Sequence, residues 1–250
     1  MAADPIHQFN IVNLFPVAKI GSTEIAYTNS ALFMTIAVAG ISIFLLGSTM
    51  KRGLVPGRMQ SLAELSYEFV ADTIRSTAGS EGMRFFPFVF TLFMFVFVIN
   101  MVGLIPFTFT VTTHIVVTAA LALTVFFIVL IYGLWKNGLH FFGLFVPKGI
   151  PIYILPLIVA IEVLSFLSRP ISHSVRLFAN MLAGHITLKV FAGFVTMLTA
   201  WGVLGWVGAV LPLGLTVALT ALETLVAALQ AYVFAILTCI YLNDAIHPGH

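Results

Sequence analysis

Charge is scarce in this chain. Asp, Glu, Lys and Arg together make up 8% of its 250 residues, where soluble domains carry roughly 25%. So few polar groups cannot cover the surface of a water-facing globule of this size, so lipid has to do the covering. The formal net charge of +2 is small, and the basic residues are scattered or embedded in apolar runs. That excludes a nucleic-acid-binding face, which needs Lys and Arg clustered on a solvated surface. Cysteine is nearly absent: Cys239, the one in the chain, sits inside an apolar run. An intrachain disulfide and a thiolate metal site are thereby excluded, and the residue reads as a small core filler. There is no G-x-x-x-x-G-K-[ST] loop for a nucleotide and no H-E-x-x-H pair for zinc. Nor is there a Ser–His or paired-aspartate arrangement for an intramembrane hydrolase. His173 and His185 lie on one segment without a matching pair on a second, which argues against a haem-binding electron carrier. No cofactor and no metal is expected, and no enzymatic activity of the chain on its own. Residues 1–27 lack a basic region followed by an apolar core, so no cleavable signal is expected there.

What the chain has in abundance is hydrophobic sequence, 60% of its residues, with a mean hydropathy of +1.11. This predicts an all-α integral membrane protein of one domain: five membrane-crossing helices and one amphipathic surface helix. Residues 1–28 form an outside segment, and 29–50 the first span. Lys51, Arg52 and Arg58 follow that span and, by the positive-inside bias, mark the cytoplasmic side. Residues 59–78 read as the amphipathic helix. Leu62, Leu65, Phe69, Val70 and Ile74 make one face, and Gln60, Glu64, Glu68, Asp72 and Arg75 the other. Ser61 and Glu64 are spaced as a capping box at its start. Spans over 85–107 and 114–135 follow, joined by an uncharged outside loop. A basic-edged cytoplasmic loop, Lys136–Lys148, comes next.

The final hundred residues hold two apolar segments, 150–195 and 202–243. A continuous helix of about 40 residues is about 60 Å long, twice the ~30 Å hydrocarbon core. Each segment therefore either breaks into two spans or tilts steeply. No turn cluster splits them, although Pro170 and Pro212 could kink them. A long tilted hairpin is the expectation, with the C-terminus inside.

Polar residues within these apolar segments carry the chemistry. At about 100° per residue, Glu162, Arg169, His173, Arg176, Asn180, Gly184 and Thr187 lie within about 40° of one line. A guanidinium at mid-membrane costs roughly 2.5–3.5 kcal/mol or more, and arginine cannot escape by losing its proton. Something must compensate Arg176. One reading is an ion pair within the chain, with Glu162 or Glu223 as candidate partners for Arg176 and Arg169. The other is a carboxylate on a different subunit, favoured by how few acids the chain has. On the last segment Thr216, Glu223, Gln230, Phe234 and Tyr241 align in a second stripe. Ala227, Ala228, Ala231 and Ala235 beside it admit a closely packed helix. His185 points opposite to Arg176 and is either a hydrogen-bonded core histidine or a proton relay with Glu223.

The run SRPISHSVRLFANMLAGH, followed by ETLVAALQAYVFAILTCIYL, resembles the signature of subunit a of F-type ATP synthases. So does the N-x-x-G-L-x-P pattern of Asn100, Gly103, Leu104 and Pro106. The resemblance extends over nearly the whole chain, and its R-L-F-x-N-x-x-A-G element is highly specific. It implies that Arg176 is the essential cation facing carboxylates of a rotating c-ring, with Asn180 and Gln230 beside it. His185 and Glu223 correspond to an interacting pair in the outer access path. Many bacterial members have an acid at the first of these positions, and some have a histidine at the second; the exchange here is as in mitochondrial relatives. Glu162 corresponds to an acid on the cytoplasmic path and His114 to the outer entrance; His173, read from its polar character alone, is a group that could hold water in a channel. The implied partners are the c-ring, b-type peripheral stalk subunits, the rest of the synthase, protons and the bilayer. The implied location is a bacterial inner membrane, or a mitochondrial one. A secondary ion-coupled transporter is the alternative, although paired repeats and broken helices are missing.

Overall fold

A computed structural model of the chain describes residues 10–20, 23–50, 56–105, 108–146 and 153–247. Lys51, Arg52, Pro106, Pro147, Lys148 and Ile150, which entered the sequence reading, lie outside the described residues. The protein is an all-α membrane fold with a small β-hairpin at its N-terminal end. Strands β1 (Asn13–Ile20) and β2 (Thr23–Thr28) pair antiparallel and lead into α1 (Asn29–Met50). Then come α2 (Arg58–Gly82), α3 (Phe86–Gly103), α4 (Ile115–Asn137), α5 (Leu155–Thr199) and α6 (Val203–Ile246). Among the described residues, 5 helical segments are long and apolar enough to cross a membrane, α2 and α3 counting together as one.

The hairpin was not foreseen. Its strands are rich in β-branched and aromatic residues, as pleated surfaces favour, and Phe15 stacks on Tyr27 with ring centroids 5.0 Å apart. Pro16 lies beside an irregularity in the register, where a missing N–H is tolerated. The hairpin is fastened to α1 by Asn29, whose Oδ1 accepts from the Val12 and Ser30 amides at 3.2 and 2.9 Å. Thr28 Oγ1 caps the helix by accepting from Ala31 N at 3.3 Å.

The capping box expected at Ser61 and Glu64 is not formed. The helix begins a turn earlier, with Gly57 as its cap residue. Ser61 N is already satisfied by Gly57 O at 2.8 Å, so no orphan amide remains there for a side chain to cap. Glu64 instead accepts from Gln60 Nε2 at 2.8 Å. The amphipathic stretch ends at Gly79, whose φ of +64° interrupts the helix. Glycine adopts that conformation without steric penalty, which lets the chain turn from α2 toward the strongly apolar α3.

Two compact units make up the chain. The first comprises residues 1–41, 97–114 and 177–230. It contains the hairpin, the start of α1, the end of α3 with the connection that follows, the later half of α5 and most of α6. Its buried residues include Ala37, Ile99, Phe109, Leu177, Met181 and Ala227, together with the polar Asn100, Thr110, His185 and Glu223. The α5–α6 turn lies here, over Ala200–Gly202, with Gly202 at φ +78°.

The second unit comprises residues 42–96, 115–176 and 231–250. Its core holds Val70, Ile74, Val89, Val125, Val129, Phe166, Phe234 and Leu242. The segment after α4 was expected as a plain loop. Instead, Gly138–Phe145 coils into 3-10 turns, with Gly138 at φ +54° ending α4. Phe141 from these turns is buried against Gly133, where any side chain would occupy the space of its ring. Phe126 and Phe145 close on Phe166 at 5.1 and 5.4 Å.

Helices α5 and α6 run 45 and 44 residues, straight through Pro170 and Pro212 without a break. That rules out the alternative of two spans each. At ~1.5 Å per residue they measure about 67 and 66 Å. Helices so much longer than the ~30 Å core are accommodated by tilting.

Gly133→Val is expected to push Phe141 out of its seat and to lower the detergent melting stability of the protein by about 1–3 kcal/mol. A thermal shift measurement on the purified complex checks this; an unchanged transition would mean that the 3-10 segment does not depend on that contact.

Candidate functional site

The polar residues of α5 and α6 fall into distinct settings. In the second unit, Arg169 Nη1 donates to Asp244 Oδ2 at 2.7 Å, with both side chains only partly exposed. Its guanidinium lies 5.3 Å from the Phe166 ring centroid and 5.0 Å from that of Tyr241. The partners expected for Arg169, Glu162 and Glu223, are therefore corrected to Asp244. Asp244 lies only about 40° from the Gln230 direction on a helical wheel, so following the α6 stripe one turn further would have reached it. This pair is anchored beside Asn137, whose Nδ2 donates to Ala245 O at 2.7 Å. Thr118 and Ser174 share a buried hydrogen bond of 3.1 Å. These three contacts are satisfied locally, as burial in an apolar setting requires.

His173 is buried, with its ring 3.9 Å from that of Phe234 and 6.0 Å from that of Tyr241. Its Nε2 has no hydrogen-bond partner among the described residues. Glu162 is half-buried, and no ion pair with either arginine forms. Arg176 stands apart: it is exposed on α5 between the exposed Val175 and the buried Leu177. Among the described residues no carboxylate lies within ion-pairing distance of it. The intrachain pairing weighed for Arg176 is thus absent there, because Glu223 is engaged elsewhere and Asp244 serves Arg169.

In the first unit the structure brings His185 to Glu223, the partner weighed for it, and bonds Asn180 to Gln230, which the resemblance had placed only beside Arg176. Asn180 Nδ2 donates to Gln230 Oε1 at 3.0 Å. His185 Nδ1 faces Glu223 Oε1 at 3.6 Å, both side chains being more than nine-tenths buried. That approach depends on Gly184. A Cβ at that position would stand 2.7 Å from Glu223 Oε1, closer than real contacts allow. The carboxylate is thereby held in a slot cut by a missing side chain. Both its oxygens lack hydrogen-bond partners among the described residues, as do the buried Asn100 Oδ1 and Thr112 Oγ1. Asn100 Nδ2 reaches Ala227 O at 3.4 Å, tying α3 to α6. Buried polar atoms left open in this way suit water or a passing proton rather than a static core.

His114 lies in the α3–α4 connection, stacked on Phe109 at 5.0 Å. Burial lowers its pKa below the usual histidine range, which keeps the ring neutral at neutral pH. Sequence reasoning missed Thr110, and it named Gly103 only as part of a family pattern. Thr110 is fully buried; its Oγ1 contacts His185 Nε2 at 3.2 Å and Gly103 O at 3.2 Å. An uncharged connection offers no periodicity from which such contacts could be read.

Long lipid-compatible helices carrying a buried ionisable pair and a part-buried amide pair define an ion-conducting, multi-pass membrane protein. The profile of one family, described as ATP synthase A chain, matches residues 31–243. The chain belongs to that family. It is 72% identical over 247 residues to ATP synthase subunit a of Nitrobacter winogradskyi, covering 99% of each chain. It is 70% identical over 250 residues to ATP synthase subunit a of Rhodopseudomonas palustris strain HaA2, covering 100% of each. Identity to ATP synthase subunit a of Bradyrhizobium diazoefficiens is 70% over 251 residues, with the same coverage.

Asp244→Ala is expected to strand Arg169 and cost about 1–2 kcal/mol, between the values for exposed and buried pairs. The exchange Arg169→Asp with Asp244→Arg should recover part of the loss. Melting curves of the two variants beside the parent provide the check; equal stability of all three would mean the pair is structurally idle.

Proposed function

We propose that this chain is the stationary proton-conducting subunit a of an F-type ATP synthase, in which Arg176 separates two aqueous half-channels serving carboxylates on a ring of c subunits. The observation that carries this reading is the unmatched cation. Arg169 has Asp244 and Glu223 has His185, whereas Arg176 faces outward from an apolar helix without a carboxylate among the described residues. Arginine stays protonated under all physiological conditions, so its counter-charge has to arrive from another polypeptide.

The mechanism follows from electrostatics. A ring carboxylate facing lipid must be neutral, because a charge there is costly. Opposite Arg176 it ionises, since the fixed cation stabilises the anion. Protons reach the ring from outside past His114, His185 and Glu223. They leave toward the cytoplasm past Glu162 and His173. Asn180 and Gln230, bonded to each other at 3.0 Å, hold the helix faces beside the cation in register. A proton attempting to pass directly between the two paths meets a permanent positive charge. The membrane potential supplies about 2.3 kcal/mol per charge per 100 mV, and each proton moves the ring by one step.

The remaining partners are b-type peripheral stalk subunits and the nucleotide-binding sector. The chain sits in a bacterial inner membrane, with the hairpin end outside and the C-terminus in the cytoplasm; a mitochondrial inner membrane is the other setting its sequence fits.

Arg176→Ala is expected to abolish ATP-driven acidification of membrane vesicles while the subunit still assembles, as judged by copurification with its complex. Acidification at the parental rate would overturn the role of Arg176. The chain reconstituted alone should move few protons; rapid flux without the ring would favour a self-contained transporter instead.

A further inference from the structure

The geometry points to Thr110 as a positioning residue that holds His185 in its Nε2–H form, so that Nδ1 is the atom exchanging protons with Glu223. This rests on the reading of His185 and Glu223 as a proton path and goes one atom further.

The argument is one of hydrogen-bond roles. The Thr110 hydroxyl has a single proton to give and two neighbours at 3.2 Å: the carbonyl oxygen of Gly103 and Nε2 of His185. A carbonyl only accepts. It belongs to the last residue of α3, where carbonyls are left over by the helical pattern, and Thr110 is fully buried beside it. Donating to Gly103 O leaves the hydroxyl oxygen to accept, and the donor it accepts from is Nε2–H of His185. A neutral imidazole protonated at Nε2 carries its lone pair on Nδ1. That lone pair faces Glu223 Oε1 at 3.6 Å.

The proton shared by this pair then has two resting places. Either Glu223 is the neutral acid and His185 the neutral base, or the proton has moved to Nδ1, giving imidazolium and carboxylate. No other bond is broken, and Nε2–H stays on Thr110 throughout. The 3.6 Å gap is slightly too long for direct transfer; a shift of a few tenths of an ångström or one bridging water closes it. Without Thr110 the neutral ring is free to protonate at Nδ1 and donate to Glu223. The relay would then rest in a dead-end bond, since a ring donating at Nδ1 cannot receive a proton there.

Glycines set the geometry at both ends. A Cβ on Gly103 would come 2.7 Å from Thr110 Cγ2 and displace the hydroxyl. Gly184 admits Glu223 in the same way. Titratable groups acting on His185 include Glu223 from α6 and Lys189 on α5. The α3–α4 connection presents the Thr110 hydroxyl and, further along, His114.

The test uses the reconstituted holoenzyme. Thr110→Val keeps the shape and removes the hydroxyl, and Thr110→Ser restores it. ATP synthesis driven by an imposed proton gradient should fall roughly tenfold in the valine variant, the rate equivalent of one lost buried hydrogen bond. Its dependence on external pH should move toward lower pH, because the imidazolium loses an acceptor while the neutral ring gains a donor bond to Glu223. The serine variant should recover both. In nitrogen-15 NMR of histidine-labelled enzyme, with His185→Gln identifying the signal, the parent should show a protonated Nε2 and an unprotonated Nδ1. This last measurement needs no variant of Thr110 to fold. A parent protonated at Nδ1, or a valine variant with an unchanged pH profile, would overturn the assignment to Thr110 alone. If His185→Gln and Glu223→Gln both pump normally, it is the proton-path reading that fails.

Discussion

A guanidinium cannot shed its proton to enter oil, and everything polar in the later half of this chain is arranged around that fact. Two arginines lie on α5, and they are treated in opposite ways. Arg169 is enclosed by an aspartate and two aromatic rings, so its charge is matched at home. Arg176 has no such enclosure among the described residues. A cation that is costly to bury and has no carboxylate beside it among the described residues is what the proposed function builds on, because its stability depends on what comes to meet it. Of the acids within the last two helices, Asp244 is committed to Arg169 and Glu223 to His185, while Glu162 pairs with neither arginine.

The second arrangement is one of absent side chains. Glu223 lies against His185 because Gly184 leaves room for its carboxylate, and Thr110 reaches the end of α3 because Gly103 does the same. Close helix approach by small residues is the usual way membrane helices pack. Here the approach also brings titratable atoms within a few tenths of an ångström of hydrogen-bonding distance. The same small residues that let the helices approach therefore set the spacing of these polar atoms.

Satisfied and open polar groups mark different duties. In the second unit, Thr118–Ser174, Asn137–Ala245 and Arg169–Asp244 are completed bonds, which stabilise and do nothing else visible. In the first unit the buried oxygens of Glu223, Asn100 and Thr112 remain without protein partners among the described residues. A core that needed only stability would have replaced them by apolar groups at little cost.

The sequence by itself determined the membrane class and the long helices of the C-terminal hairpin, and it named Glu223 as a candidate partner for His185. The first two follow from composition and from the length of the uninterrupted apolar runs, which depend only on the order of residues along one helix; that Asn180 bonds to Gln230 was decided by the tertiary structure. Periodicity also says which residues share a face, so Arg176 was legible as exceptional from a single strand of text. Tertiary structure decided what periodicity cannot reach. The partner of Arg169 is 75 residues away, and the acids suggested for it by shared depth, Glu162 and Glu223, were the wrong ones. Thr110 lies in a connection with no repeat, and the β-hairpin at 13–28 depends on pairing between strands rather than on a pattern within either. The capping box failed for a related reason: a helix starts where its neighbours permit, and an earlier turn of α2 had already satisfied the Ser61 amide that Glu64 was expected to cap.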